Sequence, residues 1–143
     1  MTPALPFPAH IRTFLDDLRF ATITTIDPDG APRQAVIWYA VDGDEILVNS
    51  AVGRRWPSNL GHDPRIAFSV IDAADGYHWV GLTGTVRAIT DHDTTQGDIA
   101  AMARRYHADD PEEAERLVTE RFERQERISF RFRAATLHDH LDD

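Results

Sequence analysis

Short β-branched segments separated by tight turns constrain the fold of this chain more than any other feature. Residues 20–26 (FATITTI) are rich in β-branched side chains and end at 27–30 (DPDG), a strong turn sequence. Residues 32–41 are predicted to return as a second strand, and the turn at 42–44 leads into a third strand at 45–51. Because connections this short join antiparallel neighbours, the first half of the chain is predicted to form a meander.

The rest of the sequence adds strands and helices to this meander. Further strands are predicted at 65–71, 77–89 and 128–133, and helices at about 8–18, 57–62, 94–107 and from Pro111 onward. Six antiparallel strands with helices inserted late in the chain favour a closed or nearly closed barrel. The sequence therefore predicts one domain over residues 1–143, mainly β (α+β): a six-stranded antiparallel barrel with peripheral helices.

Composition excludes several classes of function. The 143 residues include no cysteine, the net charge is −9, and all 15 basic residues are arginine. Disulfides, thiolate metal sites, cysteine nucleophiles and lysine Schiff bases are thereby excluded, and an acidic chain is a poor general binder of nucleic acid. The sequence has neither a membrane-spanning apolar run nor a secretory signal, so we expect a cytoplasmic protein without membrane association.

The segment 49–60 (NSAVGRRWPSNL) is the best candidate for binding an anion. It places Asn49 and Ser50 at a strand end, then Arg54 and Arg55 in a loop ahead of a helix N-terminus. Free backbone N–H groups and guanidinium forks together suit a phosphate or a carboxylate. The alternative is that both arginines pair with surface acids, and the spacing alone leaves the two interpretations open.

Aromatic pairs on two strands give a second candidate. Trp38-Tyr39 and Tyr77-His78-Trp79 lie on different predicted strands, and alternation places Tyr77 and Trp79 on one face. Two aromatic rings on one face either stack on a planar heterocycle or pack in the core or a dimer interface. Tyr39 or Tyr77 is a possible proton donor, but no side chain is identified as a catalytic residue.

The histidines do not predict a metal site. His138-Asp139-His140 has the spacing of a metal clip, but a frayed polar C-terminus explains it better. No arrangement typical of a hydrolase is present.

The segments 20–72 and 75–86 (DGYHWVGLTGTV) resemble the pyridoxamine 5′-phosphate oxidase-like split β-barrels that bind FMN. The most specific part is G-R-x-x-x-x-N-L-x-x-D-P-R, which begins at Gly53. Together with 98–132, these segments are most similar to the branch of small oxidoreductases that use coenzyme F-420, a deazaflavin. The resemblance implies a homodimer with two cofactor sites at the subunit interface.

The resemblance also implies the activity and the binding residues. A reductase of this branch would transfer a hydride from reduced coenzyme F-420 to a quinone, a tetrapyrrole or an activated alkene. Ser50, Arg54 and Asn59 would hold the phosphate and tail, with Arg55 as an additional cation. The positions carried over are Ala35, Val36, Ile37 and Trp38 along the ring, Ser50, Arg54, Arg55 and Asn59 at the anionic end, and Tyr77, His78 and Trp79 from the neighbouring region or the partner subunit.

At position 56 this chain departs from the deazaflavin branch, and the departure leaves the identity of the cofactor open. Many members carry a lysine where this chain has Trp56, and that lysine contacts the anionic part of the cofactor. The alternatives are an FMN-dependent reductase or oxidase of the same fold, and a non-enzymatic protein that binds haem or the deazaflavin. Haem would need an axial ligand, for which His78 is the candidate.

Overall fold

Two antiparallel sheets make up most of the structure, a computed structural model that describes residues 4–141. The strands found in this range are β1 (Ala21–Ile26), β2 (Pro32–Ile37), β3 (Ala40–Asp42), β4 (Glu45–Ala51), β5 (Arg65–Asp72), β6 (Asp75–Thr85), β7 (Arg87–Ile89), β8 (Arg127–Arg133) and β9 (Thr136–His140). One sheet has the order β2-β1-β5-β6-β9 and the other the order β3-β4-β8-β7. The predicted meander is therefore divided between two sheets.

Four α-helices accompany the sheets within the described range. They are α1 (Ala9–Asp16), α2 (Arg55–His62), α3 (His92–Tyr106) and α4 (Pro111–Glu120), and a 3-10 turn follows at Phe122–Arg124. The start of α4 is as predicted, because Asp110 caps it by accepting a hydrogen bond from the Glu113 N–H. None of these helices has the combination of length and apolar character that crossing a bilayer requires.

Helix α2 begins at Arg55, two residues before the start predicted at Pro57. Proline is tolerated there because the N–H groups of a helix's first turn have no intrahelical partner. The earlier start makes Arg54 the residue that precedes the helix.

The prediction of six strands in a closed or nearly closed barrel is not confirmed, although the mainly β (α+β) class is. The strand predicted at 32–41 divides at Trp38-Tyr39, and its two parts enter different sheets. The strand predicted at 77–89 divides at Val86, whose N–H donates to the carbonyl of Pro64. The stretch 138–140, predicted to fray, lies in β9 and pairs with β6 instead. The two sheets remain separate in their hydrogen bonding.

The main core lies between the sheets, and a smaller one lies between β4 and the α3–α4 pair. Ile46 and Val48 face the main core, whereas Leu47 packs with the helices. Because both faces of β4 are covered, its sequence is almost continuously apolar rather than alternating. This packing fixes the end of β4, where Asn49 and Ser50 lie.

Candidate functional site

A cleft of about 340 Å³ opens where β2 and β4 end, beside the start of α2 and the 3-10 turn after α4. Aromatic and aliphatic side chains form one part of its lining, and polar and cationic side chains form the other. The lining residues are Phe20, Val36, Ile37, Trp38, Trp56, Ile99 and Phe122, together with Asn49, Ser50, Arg54, Arg121 and Arg127. Apolar walls with a few polar groups are typical of a small-molecule site.

The β2 side of the cleft offers both a flat ring and free backbone groups. Among the described strands, β2 lies at the edge of its sheet and pairs only with β1, so alternate N–H and C=O groups have no strand partner there on the other side. Trp38 follows directly, and its ring stacks on Tyr106 with centroids 5.0 Å apart. A planar molecule with polar ring atoms would find both stacking and hydrogen-bonding groups here.

Ser50 presents a buried hydroxyl that has no hydrogen-bond partner in the part of the chain that the structure describes. Its exposed fraction is 2%, and Oγ makes no hydrogen bond to any residue within 4–141. Buried hydroxyls are nearly always satisfied, since leaving one unpaired costs about 1–3 kcal/mol. The position of this hydroxyl at the cleft makes it a group that a ligand would satisfy.

Arg127 is a buried cation at the same cleft. It is 6% exposed, and its guanidinium lies over the ring of Phe122 at 4.9 Å. Nε donates to Asn49 Oδ1 at 3.0 Å, and Nη1 donates to Gln125 Oε1 at 2.6 Å. Burial, together with the nearby charges of Arg54 and Arg121, lowers the pKa of Arg127 to about 10.

A chain of hydrogen bonds fixes the amide of Asn49. Its Nδ2 donates to the carbonyl of Thr95 at 3.0 Å and to Ser129 Oγ at 2.9 Å, and Ser129 in turn donates to Asp98 at 2.7 Å. With the amide nitrogen engaged in this way, the Oδ1 atom faces Arg127. The orientation of the Arg127 guanidinium is thereby set by α3 and β8.

The structure brings five of the predicted site residues into the cleft. They are Val36, Ile37, Trp38, Ser50 and Arg54. Their role in binding a cofactor stays a prediction.

The other two predicted residues of the 49–60 segment point elsewhere. Arg55 directs Nη1 towards Asp27 Oδ1 at 3.6 Å. Asn59 is 1% exposed and donates to Thr25 Oγ1 at 3.1 Å and to Asp27 Oδ1 at 2.8 Å. Hydrogen bonds from Arg33 and Asn59 lower the pKa of Asp27 to about 2. Both side chains therefore support the turn after β1, and Ala35 packs against the main core.

The predicted residues of β6 lie outside the cleft of this chain. The ring of Trp79 stacks on His138 with centroids 4.6 Å apart, and His78 Nδ1 lies 3.4 Å from Asp75 Oδ2. Tyr77 is largely exposed. Whether these residues reach a cofactor through a partner subunit stays a prediction.

Tyr39 is poorly placed to donate a proton to a ligand. The side chain is fully buried, and its hydroxyl donates to the carbonyl of Leu15 at 2.7 Å. Burial raises the pKa of Tyr39 well above its usual value. The hydroxyl is therefore occupied by the backbone of α1.

Sequence reasoning missed the cations on the helical side of the cleft. Arg121 follows α4, and Arg127 begins β8 in phase with Ser129. An arginine at a strand start ordinarily indicates a solvated position. Arg127 is buried only because α3 and the 3-10 turn pack over β8. No local pattern in the sequence indicates that packing.

Comparisons with known proteins agree with this architecture. The family model described as pyridoxamine 5′-phosphate oxidase matches residues 7–138. A search of curated proteins found no significant match.

Several solved structures share the fold. An F-420 reductase is 21% identical with a TM-score of 0.73, over 92% of this chain and 98% of the other. A conserved hypothetical protein from Mycobacterium tuberculosis is 24% identical with a TM-score of 0.76, over 98% of this chain and 89% of the other. A haem storage protein from Vibrio cholerae is 16% identical with a TM-score of 0.68, over 94% and 95%.

Proposed function

This chain belongs to the pyridoxamine 5′-phosphate oxidase family, a family of flavin-binding oxidoreductases, and we propose that it is a reductase that uses coenzyme F-420. In this proposal a hydride passes from the reduced deazaflavin to a small conjugated acceptor such as a quinone, a tetrapyrrole or an activated alkene. The likeness to an F-420 reductase over nearly the whole chain supports this choice of cofactor.

The unpartnered hydroxyl of Ser50 is the observation that carries the proposal. It lies buried at a cleft that also holds the free edge of β2 and the guanidinium of Arg54. A deazaflavin combines a planar ring, polar ring atoms and an anionic tail, and each has a matching group in this cleft. The residues present therefore fit such a cofactor.

The side chains of the cleft would bind and orient rather than act as acids or bases. The bound deazaflavin would supply the hydride, which is chemistry that the protein's own side chains lack. Trp38 would support the ring, the backbone of 35–38 would lie along it, and Arg54 with Ser50 would hold the tail. No carboxylate, histidine or tyrosine lines the cleft among the described residues, which favours hydride transfer over acid–base catalysis.

An exposed apolar margin favours a conjugated acceptor. Phe20 lines the cleft and is 58% exposed. A flat apolar acceptor would cover this side chain and exclude water from the ring face.

FMN is the second candidate cofactor. The family description supports it, and Trp56 stands at the cleft where related deazaflavin enzymes carry a lysine. FMN has a shorter anionic end, so the loss of one cation would harm its binding less. Haem is less well supported, because the described lining contains no histidine and His78 lies beside Asp75 instead.

We also propose that the chain forms a homodimer with cofactor sites at the interface. The strand register places Val36, Ile71 and Trp79 on one outer face of the five-stranded sheet. Val36 and Ile71 are large apolar side chains that are exposed in the single chain. A second copy would bury them and would bring its own Tyr77–Trp79 segment to a neighbouring site.

A titration of the purified apo-protein tests the choice of cofactor. We expect coenzyme F-420 to bind tightly, with FMN weaker, and Arg54→Ala to weaken coenzyme F-420 about 10-fold or more. Arg65→Ala is the matched control, because Arg65 is exposed and paired with Asp63 at 2.7 Å. Preference for FMN would move the protein to the flavin branch, and binding of neither cofactor would refute the proposal.

A further inference from the structure

We propose that Arg127 and Arg121 form a phosphate-binding subsite on the helical side of the cleft. The inference rests on the proposed function, because the phosphate is taken to belong to the bound cofactor. It adds residues of β8 and of the segment after α4 to the anion-binding end of the site, which the sequence places only in the 49–60 segment.

The hydrogen bonds of Arg127 leave most of its donors unused. A guanidinium carries five N–H donors. Asn49 accepts one from Nε and Gln125 accepts one from Nη1, so three have no acceptor within residues 4–141. Nη2 carries two of these donors and is not fully buried, so it can be reached from the cleft, and phosphate oxygens match the planar fork of arginine.

The charge of Arg127 is also uncompensated. Among the described residues, no carboxylate lies within 4.0 Å of the side-chain nitrogens of Arg54, Arg121 or Arg127. Three cations thus approach one cleft without a counter-ion. Taking a guanidinium out of water without a counter-ion is unfavourable, and an anion bound in the cleft would offset that cost.

Another arginine of the same strand has a different environment. Arg131 lies four residues along β8, and its Nη1 is 2.9 Å from Asp42 Oδ2 and 3.7 Å from Glu45 Oε1. The sequence contains 24 acidic residues, so carboxylates are plentiful. The pairing of Arg131 and the lack of a counter-charge at Arg127 indicate that Arg127 serves a ligand.

The neighbours of Arg127 hold its guanidinium in place without neutralising it. Asn49 contributes a neutral oxygen, and its amide is fixed by Thr95 and Ser129. Asn49 is therefore a positioning residue. A rigid cation with free donors is prepared for an anion, because little conformational freedom remains to be lost when the anion binds.

Pairs of ligands with and without the phosphate test the subsite. FMN and riboflavin differ only in the phosphate, whereas the phosphate-free deazaflavin also lacks the tail that the phosphate of coenzyme F-420 carries; each pair is titrated by fluorescence. We expect the phosphorylated ligand to bind about 10- to 100-fold tighter to the wild-type protein. Arg127→Met keeps the unbranched stem of the side chain but removes the guanidinium, and we expect it to lower that ratio by about 3- to 10-fold, because Arg54 and Arg121 remain. Arg116→Met is the control, because Arg116 is exposed and paired with Glu113 on α4.

Each outcome decides between the two proposals. An unchanged ratio in Arg127→Met would overturn the subsite while leaving the proposed function intact. If none of the four ligands binds, the proposed function fails, and inorganic phosphate decides the subsite alone. The subsite then requires that phosphate raise the Tm of the wild-type protein, relative to chloride at equal ionic strength, and not that of Arg127→Met. If Arg127→Met does not fold, Arg121→Met replaces it in the test, because Arg121 is exposed. The subsite then requires that Arg121→Met lower the affinity ratio of phosphorylated to phosphate-free ligand, or the rise in Tm that phosphate causes.

Discussion

Replacing Ser50 with alanine should make the protein more stable and a poorer binder. The hydroxyl is buried and has no hydrogen-bond partner in the described chain. Removing it takes away an unsatisfied polar group and leaves no cavity larger than one oxygen atom. Stability should therefore rise in the apo-protein, in contrast to most substitutions in a core.

The magnitude follows from the cost of an unpaired hydroxyl. Leaving a buried hydroxyl unsatisfied costs about 1–3 kcal/mol, so Ser50→Ala should raise the free energy of unfolding by about 1 kcal/mol. For a chain of this size that corresponds to roughly 3 °C in Tm. Affinity for the cofactor should fall by roughly 3- to 10-fold, the worth of one hydrogen bond.

Ser129 on the paired strand β8 provides the matched control. Its hydroxyl donates to Asp98 and accepts from Asn49, so Ser129→Ala should destabilise the apo-protein by about 1–3 kcal/mol. Both variants would be compared by urea unfolding and by cofactor titration. If Ser50→Ala destabilises the protein as Ser129→Ala does, or leaves affinity unchanged, the reasoning about the hydroxyl is refuted.

Three further predictions concern the turn after β1 and the outer sheet face. Asn59→Leu should lower the free energy of unfolding by about 2 kcal/mol, because Thr25 and Asp27 lose a buried donor; urea unfolding that shows no change would contradict this. Asp27 stabilises the fold above the unfolded-state pKa of 3.8, and this stabilisation is lost as the pH falls towards its folded pKa of about 2. Asp27→Asn should therefore remove part of the acid dependence of the urea midpoint between pH 4 and 2, and identical pH profiles would count against the assignment. Sedimentation should show a dimer at micromolar concentration that Ile71→Arg shifts towards monomer, whereas a stable wild-type monomer would refute the shared site.

The sequence predicted those helices and strands whose formation depends on residues that are close together in the chain. The Asp110-Pro111 start of α4 is one example, because cap and proline act within a single turn. The apolar run of β4 is another. By contrast, β9 was missed because the polar segment 136–140 is a strand only through its pairing with β6, which depends on tertiary structure.

The residues of the candidate site could be predicted only in part, because tertiary structure decides which of them come together. Of the residues that the 49–60 segment suggested, Ser50 and Arg54 reach the cleft. Neighbours in sequence need not share a site, however, and Arg55 and Asn59 turn towards Asp27. Arg127 is distant in sequence, and only the packing of the helices on β8 brings it to Arg54.

The fluorescence of the cleft tryptophans tests most directly whether the cleft binds the cofactor. The chain has three tryptophans, of which Trp38 and Trp56 line the cleft and Trp79 does not. In Trp79→Phe, all remaining tryptophan emission arises at the cleft. Saturation with coenzyme F-420 or FMN should quench that emission strongly. Binding that is evident from the cofactor's own fluorescence, with the tryptophan emission of Trp79→Phe unchanged, would place the ligand elsewhere and contradict the account.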